Sequence, residues 1–299
     1  MKFVVTGGAG FIGSHIAKYL VDKNHDVVIV DNLSRGRLEN LSKIIEQIDF
    51  KKIDILDFNS LKNIISNSDG IFHQAALTSV PESFLQKEKY HNVNVKGTEN
   101  IFKLAKEFGK KVVYASSSSI YGNTIEIPIQ ENFEKNPINP YGITKLDDEK
   151  LAQKYHNLGV SIIGLRYFNV YGVGQTNDYA GVITKFIDQI NLNKSPIIFG
   201  DGLQTRDFIS VEDVAKANLL SMESNTDFSF LNIGTGISTS VKTLAEIMID
   251  LSGKTLELIY DDLPLGDVKD SLADVSLAKQ LINWNYESLL KNGLKKFFF

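Results

Sequence analysis

The 299-residue sequence contains no cysteine, which excludes disulfides, thiolate catalysis and cysteine-ligated metals and agrees with a reducing compartment. Its five histidines (His15, His25, His73, His91 and His156) are dispersed without metal-ligand spacing, so no structural or catalytic metal is expected. No stretch approaches the ~20 apolar residues of a membrane span. The four-residue apolar run after Met1-Lys2 is too short for the apolar region of a signal peptide. A soluble, cytoplasmic protein is expected, in which sequon matches such as Asn32-Leu33-Ser34 carry no meaning. A basic stripe is also missing. The formal net charge is -4 and basic residues come as scattered pairs such as Lys51-Lys52 and Lys110-Lys111, so neither DNA nor RNA is expected as a partner. Internal repeats, low-complexity tracts and flexible linkers are absent as well.

What is present is 43% hydrophobic residues, ordinary for a globular chain with a sizeable core, and length enough for about two domains. The first half alternates short apolar runs, at 3–6, 27–30, 50–53, 71–73 and 111–115, with helical patterns at 11–21, 38–48, 61–65 and within 81–108. Strands that are apolar throughout, separated by helices, predict a parallel sheet covered on both faces, a doubly wound α/β domain. Pro140 suits a helix start, where its missing N–H is harmless, and predicts a helix over 141–156 followed by a strand at 161–165. After Arg166 the pattern loosens into loops with shorter elements, such as the helical 183–190, predicting a second, irregular lobe. The helix at 211–222 and the strand at 230–233 are regular enough to return to the first domain. The closing Phe297-Phe298-Phe299 reads as the apolar end of a last helix packing onto the body.

Within the helix over 141–156, Tyr141 and Lys145 lie four residues apart and share one face. At ~4 Å and an effective dielectric of ~20, an ammonium favours a phenolate by ~4 kcal/mol. At ~1.4 kcal/mol per pKa unit, this upper bound brings a phenol from ~10 to near ~7, the range of a general base. A solvated Tyr and Lys on a helix surface have the same spacing, so the rest of the sequence decides. Residues 6–13, TGGAGFIG, fall between the first strand and the first helix. Glycines there permit a tight turn and close approach of the backbone to a pyrophosphate, and the helix N-terminus supplies N–H groups and a positive dipole end. Gly7, Gly10 and Gly13 are spaced G-x-x-G-x-x-G, one residue looser than the common dinucleotide fingerprint. Asp31, 18 residues beyond Gly13, is placed to hold a ribose diol and repel a 2′-phosphate. NAD is thereby favoured over NADP, with Arg35 pulling the other way.

The segments TGGAGFIGS (6–14), DNLS (31–34), HQAALTSVPES (73–83), NVKGT (94–98) and YASSSSIYG (114–122) are followed by YGITK (141–145), LRYFNVYG (165–172), GDGLQTRDFISVEDV (200–214) and GDVKDSLAD (266–274). In this order and spacing, over nearly the whole length, the chain resembles the extended short-chain dehydrogenase/reductases of the NAD-dependent nucleotide-sugar epimerase type. The resemblance implies a Rossmann-type NAD-binding domain over 1–166 plus about 209–235, and a nucleotide-sugar lobe over about 167–208 plus 236–299. It implies that Tyr141 takes the sugar hydroxyl proton, that Lys145 lowers the pKa of that phenol and binds the nicotinamide ribose, and that Ser117 hydrogen-bonds the reacting oxygen. For NAD it implies Gly7, Gly10, Phe11, Ile12 and Gly13 at the pyrophosphate, Asp31 and Asn32 at the ribose, and Asp54 and Ile55 at the adenine. Ala75, Ala76, Asn94, Tyr167 and Phe168 would form channel walls. For a UDP-sugar it implies Ser79, Ser117, Ser118, Asn169, Gln175, Val182, Arg206, Asp267 and Ser271. Of these, Asn169 and Arg206 would meet the diphosphate, whose oxygens pair with an arginine's planar fork. The competing reading of Arg206-Asp207 is a local ion pair, and His73 reads as a satisfied strand-end histidine rather than a catalytic one. Pro264 stands where the family commonly has a phosphate-binding arginine, for which Lys269 or Lys254 is the expected substitute.

Dehydratases that resemble this chain carry an acidic pair just after the position of Ser117, and decarboxylases of nucleotide-linked uronic acids a glutamate. Here those positions are Ser118 and Ser119, so neither elimination nor decarboxylation has its acid. Epimerisation needs only hydride removal, rotation of a ketone and hydride return, with NAD retained throughout. The expectation is NAD-dependent 4-epimerisation of a UDP-hexose. The family's gatekeeper beside the C2 substituent corresponds to Ser271, where a bulky tyrosine would exclude an N-acetyl group. With HQAALTSVPES and Gln175 it favours UDP-GlcNAc and UDP-GalNAc, with UDP-Glc and UDP-Gal as a second pair. A strict UDP-glucose 4-epimerase, a uronate epimerase or decarboxylase, and a non-catalytic NAD-binding sensor are the alternatives; such sensors often lose the tyrosine or lysine, and both are here. The resemblance also implies a homodimer formed through 81–108 and 141–156.

Overall fold

The apolar runs form a seven-stranded parallel sheet in the computed structural model, which describes residues 1–124, 126–175, 181–262 and 269–298. In chain order β1 (Lys2–Thr6) leads into α1 (Phe11–Asp22), β2 (Asp26–Val30), β3 (Ile48–Lys51), α2 (Phe58–Ser66) and β4 (Gly70–His73). Helices α3 (Val80–Leu85) and α4 (Lys87–Tyr90), a π-helical turn (His91–Lys96) and α5 (Gly97–Phe108) precede β5 (Lys111–Ser117), α6 (Pro140–His156) and β6 (Ile162–Tyr167). Then come β7 (Asn169–Tyr171), α7 (Val182–Asn191), β8 (Ile197–Phe199), β9 (Thr205–Arg206), β10 (Phe208–Ser210), α8 (Val211–Glu223) and β11 (Phe228–Ile233). The chain closes with β12 (Thr239–Ser240), α9 (Val241–Ser252), β13 (Ile259–Asp261), α10 (Ser276–Ile282) and α11 (Leu290–Lys295).

The sheet order is β11-β6-β5-β4-β1-β2-β3. Winding therefore reverses between β1 and β4, and the carboxyl ends of these two strands flank a crevice. Successive side chains of a strand point to opposite faces, so a strand buried on both sides is apolar at every position. Phe3 and Val5 of β1 join Ile16, Leu20, Val214 and Trp284 in the core beneath α1, α8 and α10. Val4 joins Leu61, Ile65, Phe102 and Tyr155 beneath α2, α5 and α6 on the other face. A third core gathers Phe186 and Ile190 of α7, Leu244 and Met248 of α9, and Leu294 of α11, with Phe297 and Phe298 packed against it. β11 pairs with β6, and α8 packs on α1. Among the described residues no helix is long and apolar enough to cross a membrane.

Two expected helices differ. Residues 38–48 make two short 3₁₀ turns, Leu38–Leu41 and Ile45–Gln47, because Ile48 already belongs to β3, which starts and ends two residues before the predicted strand. The long helix within 81–108 is interrupted at Gln86 and widened into the π turn, where Asn94 turns inward.

Candidate active site

A cavity of about 1290 Å³ opens on the crevice between β1 and β4 and extends towards Arg206 and Val241. Gly7 turns the chain out of β1 in the left-handed region (φ +66°), and a Cβ there would lie 2.7 Å from the backbone of Ala75. A Cβ on Gly13 would lie 2.2 Å from the Gly7 carbonyl oxygen, so loop and helix approach as closely as backbone allows. Among the described residues, no side chain caps the N-terminus of α1 and no acid occupies its first turn, leaving N–H groups and dipole to an anion. This cradle fits the pyrophosphate of a dinucleotide.

Next to it, Asp31 accepts hydrogen bonds from the N–H groups of Ala9 (3.0 Å) and Leu33 (2.8 Å), while burial pushes its carboxyl up from the ordinary value. Asn32 donates to Asp54 (2.8 Å), and Asp54 accepts from the Leu56 N–H (2.8 Å), so these two predicted adenosine contacts hold each other. Arg35 is clasped by both carboxylate oxygens of Glu82 at 2.7 Å. Its guanidinium is thus committed across the cleft to α3, which removes the reason to expect a 2′-phosphate.

The opposite wall is built by α6. Asn139 caps the helix by accepting from Gly142 N–H (2.8 Å), with Pro140 at its first position. Four residues past Lys145, Glu149 takes Arg166 of β6 in a bidentate pair (2.8 Å for both bonds) and accepts from the Ser116 hydroxyl (2.7 Å). Arg166 also donates to the Tyr121 hydroxyl (2.7 Å) and the Glu131 carbonyl (2.8 Å). A buried pair this fully bonded pins α6 against the sheet, and losing one partner typically costs about 3–5 kcal/mol. Tyr141 is half-buried on the cavity wall, and Lys145 is buried, its Nζ donating to the Ala115 carbonyl (2.9 Å) and to Asp148 (3.3 Å). The solvated-surface alternative for this pair is therefore wrong. Ser117 is on the same wall, donating to the Ser119 hydroxyl (3.1 Å) and accepting from the Ser119 N–H (3.1 Å).

Most other expected positions also line the cavity: Phe11, Ile12, Ile55, Ala75, Ala76, Tyr167 and Phe168 towards the dinucleotide end, and Ser79, Asn169, Gln175, Val182 and Arg206 beyond it. Three do not. Asn94 is fully buried, accepting from the Leu77 N–H (2.8 Å) and donating to the Leu77 carbonyl (3.0 Å) and Thr144 hydroxyl (3.0 Å), so it fixes a wall loop from behind. Ser118 is turned off the wall by the 3₁₀ turn that presents Ser119 instead. Ser271 lies beside the wall, its N–H bonded to the Thr205 carbonyl (3.2 Å). Pro264 and Asp267 fall outside the described residues. Lys254 caps α7 by donating to the Ile190 carbonyl (2.6 Å), and the Lys269 side chain is exposed, so neither of the expected substitutes for the arginine lines the cavity among the described residues.

Among the positions missed in sequence is Lys185, which shares the cavity-facing side of α7 with Gln189 four residues on. Asp207 does not face Arg206. It accepts from Thr235 N–H (2.7 Å) and hydroxyl (2.6 Å), Gly236 N–H (2.9 Å) and Ala273 N–H (3.2 Å).

His73 is buried between the hydroxyls of Thr6 (2.6 Å) and Thr98 (2.9 Å). Burial, helped by the charge of Lys145, lowers it to about 3, so it stays neutral. An unfolded histidine takes up a proton near ~6.5. Between these values the unfolded chain binds the extra proton, and stability falls as pH falls, by at most about 1.4 kcal/mol per unit. Melting temperatures of the protein and of His73→Asn between neutral and mildly acidic pH check this; the loss on acidification should be larger in the unsubstituted protein.

A sequence profile of the NAD-dependent epimerase/dehydratase family matches residues 3–234. A UDP-N-acetylglucosamine 4-epimerase from Methanobrevibacter ruminantium, solved with UDP-N-acetylmuramic acid, is 38% identical with a TM-score of 0.95 over 99% of this chain and 96% of that one. The UDP-glucose 4-epimerase of Thermotoga maritima, solved with UDP-glucose, is 35% identical with a TM-score of 0.94 over the same shares, 99% and 96%. The UDP-glucuronate 4-epimerase of Thermodesulfobacterium geofontis is 37% identical over 98% of this chain and 94% of that protein. With its glycine cradle, its Asp31 and a profile match spanning the whole sheet, the chain belongs to the NAD-dependent epimerase/dehydratase family, and its cofactor is NAD.

Proposed function

We propose that the protein is an isomerase that interconverts UDP-GlcNAc and UDP-GalNAc by epimerisation at C4, with UDP-Glc and UDP-Gal as a second pair. The observation that carries this reading is the convergence of Tyr141, Lys145 and Ser117 on one wall of the cavity that the glycine cradle opens at its other end. NAD supplies a reversible hydride acceptor for C4, so that the sugar passes through a 4-keto form. The loop of Gly7, Gly10 and Gly13 with the start of α1 would hold its pyrophosphate, Asp31 its ribose diol, and Asn32, Asp54 and Ile55 its adenine end. Tyr141 takes the C4 hydroxyl proton and returns it after the ketone has turned over. Ser117 would donate to the reacting oxygen, and Lys145 would direct positive charge at the phenol and bind the nicotinamide ribose. Arg206 and Asn169 would hold the diphosphate. The NAD-binding part would comprise 1–166 plus about 209–235, and the remainder would carry the nucleotide sugar.

The small Ser271 beside the wall, together with the likeness to the Methanobrevibacter N-acetylglucosamine enzyme, supports the N-acetylhexosamine. A uronate substrate is the second reading, because the Ser117 and Ser119 hydroxyls on the wall are donors that a C6 carboxylate could use, and a relative carries that activity in its name. Exposed Phe84 and Leu85 on α3 and Ile143 on α6 support a homodimer through these helices. The lack of cysteine supports a cytoplasmic location. Matched assays with UDP-GlcNAc, UDP-Glc and UDP-GlcA, with the cofactor identified in the purified protein, test the assignment. Turnover of UDP-GlcNAc is expected; turnover of UDP-Glc without UDP-GlcNAc overturns it, and turnover of UDP-GlcA alone installs the second reading.

A further inference from the structure

Behind the Tyr141 and Lys145 wall lies a carboxyl group that the proposed chemistry does not use. Asp148 is one helical turn past Lys145 and fully buried. One of its oxygens takes the longer of two Lys145 hydrogen bonds, at 3.3 Å, the shorter going to the Ala115 carbonyl at 2.9 Å. Its other oxygen, Oδ1, has no hydrogen-bond partner among the described residues. A carboxylate kept only as an ion-pair partner in a dry interior would have that oxygen bonded, because an uncompensated buried charge is costly. The half-satisfied site suits a group that exists in both protonation states.

The groups acting on it come from every side of its setting. Its own helix contributes Lys145, Asp147 and Glu149, and the last is already neutralised by Arg166. From α5 comes Thr98, and from β5 the Tyr114 hydroxyl, itself buried without a partner. From β4, His73 feels Lys145 but stays neutral.

We infer that Asp148 is a positioning residue that sets, through Lys145, the pH at which Tyr141 becomes a base. Protonated, it leaves the ammonium charge of Lys145 uncompensated beside Tyr141; ionised, it cancels part of that charge. The inference rests on Tyr141 being the base, as proposed above. Burial pushes the Asp148 carboxyl up to about 7, against the pull of Lys145 and Thr98, so the change falls within the working pH range. As pH rises and the carboxylate forms, the field at Tyr141 weakens, and the phenol gives up its proton less readily than it would beside an uncompensated lysine.

The test compares the NAD-loaded protein with Asp148→Asn and Asp148→Ala, reading both the ultraviolet absorbance of tyrosinate and kcat across pH. Tyr141→Phe identifies which part of the absorbance belongs to Tyr141. Asp148→Ala is included because asparagine leaves an unbonded amide in the same dry site. Both variants should move the Tyr141 midpoint about one pH unit lower, a tenfold change in the proton equilibrium, and carry the acid limb of kcat with it. A midpoint unchanged to within about 0.3 unit in a folded variant makes Asp148 a structural partner only, and overturns the inference while leaving Tyr141 as the base. If Tyr141→Phe removes none of the titrating absorbance in the working range, the base assignment falls, and this inference with it.

Discussion

Tyr141→Phe should lower kcat about a thousandfold while the purified protein still carries NAD and melts within a degree or two of the unsubstituted one. General acid–base catalysis contributes typically about 10²–10⁴ in rate, and a thousandfold loss corresponds to about 4 kcal/mol of barrier. The phenol ring packs on the cavity wall, but among the described residues its hydroxyl makes no hydrogen bond, so phenylalanine keeps the packing and strands no partner. The effect should therefore fall on kcat and leave KM nearly unchanged, as for an interaction made only in the transition state. Steady-state kinetics and the cofactor content of the purified variant check it. Retention of full activity would remove Tyr141 from the chemistry.

Gly13→Ala should yield a protein that is purified without NAD and loses activity at least about a hundredfold, the stabilisation that pre-positioning of a reactant can readily supply. The new methyl would stand 2.2 Å from the Gly7 carbonyl oxygen and 2.8 Å from both Gly7 C and Gly8 Cα. All three are backbone atoms of the cradle, so no side-chain rotation relieves the clash. The Gly10 N–H to Gly7 carbonyl bond (3.0 Å) that closes the loop must stretch instead. Overpacking of this kind typically costs about 1–3 kcal/mol, so a lowered melting temperature should accompany the loss of cofactor. Gly10→Ala is the comparison for stability, because its Cβ would meet the same oxygen at 3.1 Å, and it should melt closer to the unsubstituted protein.

Strands β1, β2, β4 and β5 were readable because burial on both faces keeps their central positions apolar, with polar residues only towards the strand ends. Over 38–48 the same logic misled: Leu41, Ile44 and Ile48 fit a helical period, yet the last of them is a strand residue. The break at Gln86 is invisible for the opposite reason, since apolar residues keep helical spacing on both sides of it. At the site, what could be read was whatever the backbone dictates: the glycines of the cradle, Asp31 at a strand end, and a tyrosine and lysine one helical turn apart. What could not be read was phase and distant contact. A turn of three residues after β5 decided that Ser119 and not Ser118 meets the cavity. The inward turn of Asn94 depends on the Leu77 backbone, 17 residues away. Lys254 was unavailable because the end of α7, distant in sequence, needed a cap.

The four hydrogen bonds that Asp207 accepts have a consequence for anyone wishing to redirect this protein to another sugar nucleotide. They tie the strand carrying Arg206 to the segments at 235–236 and 273, so Arg206 reaches the cavity from an anchored base. Replacements at position 206 should then act on the hold on the diphosphate and on the Thr205 and Lys269 carbonyls to which Arg206 donates, whereas any replacement at 207 would release three segments together and register as lost expression. Two neighbours in sequence should thus enter a screen differently, one randomised and the other held constant.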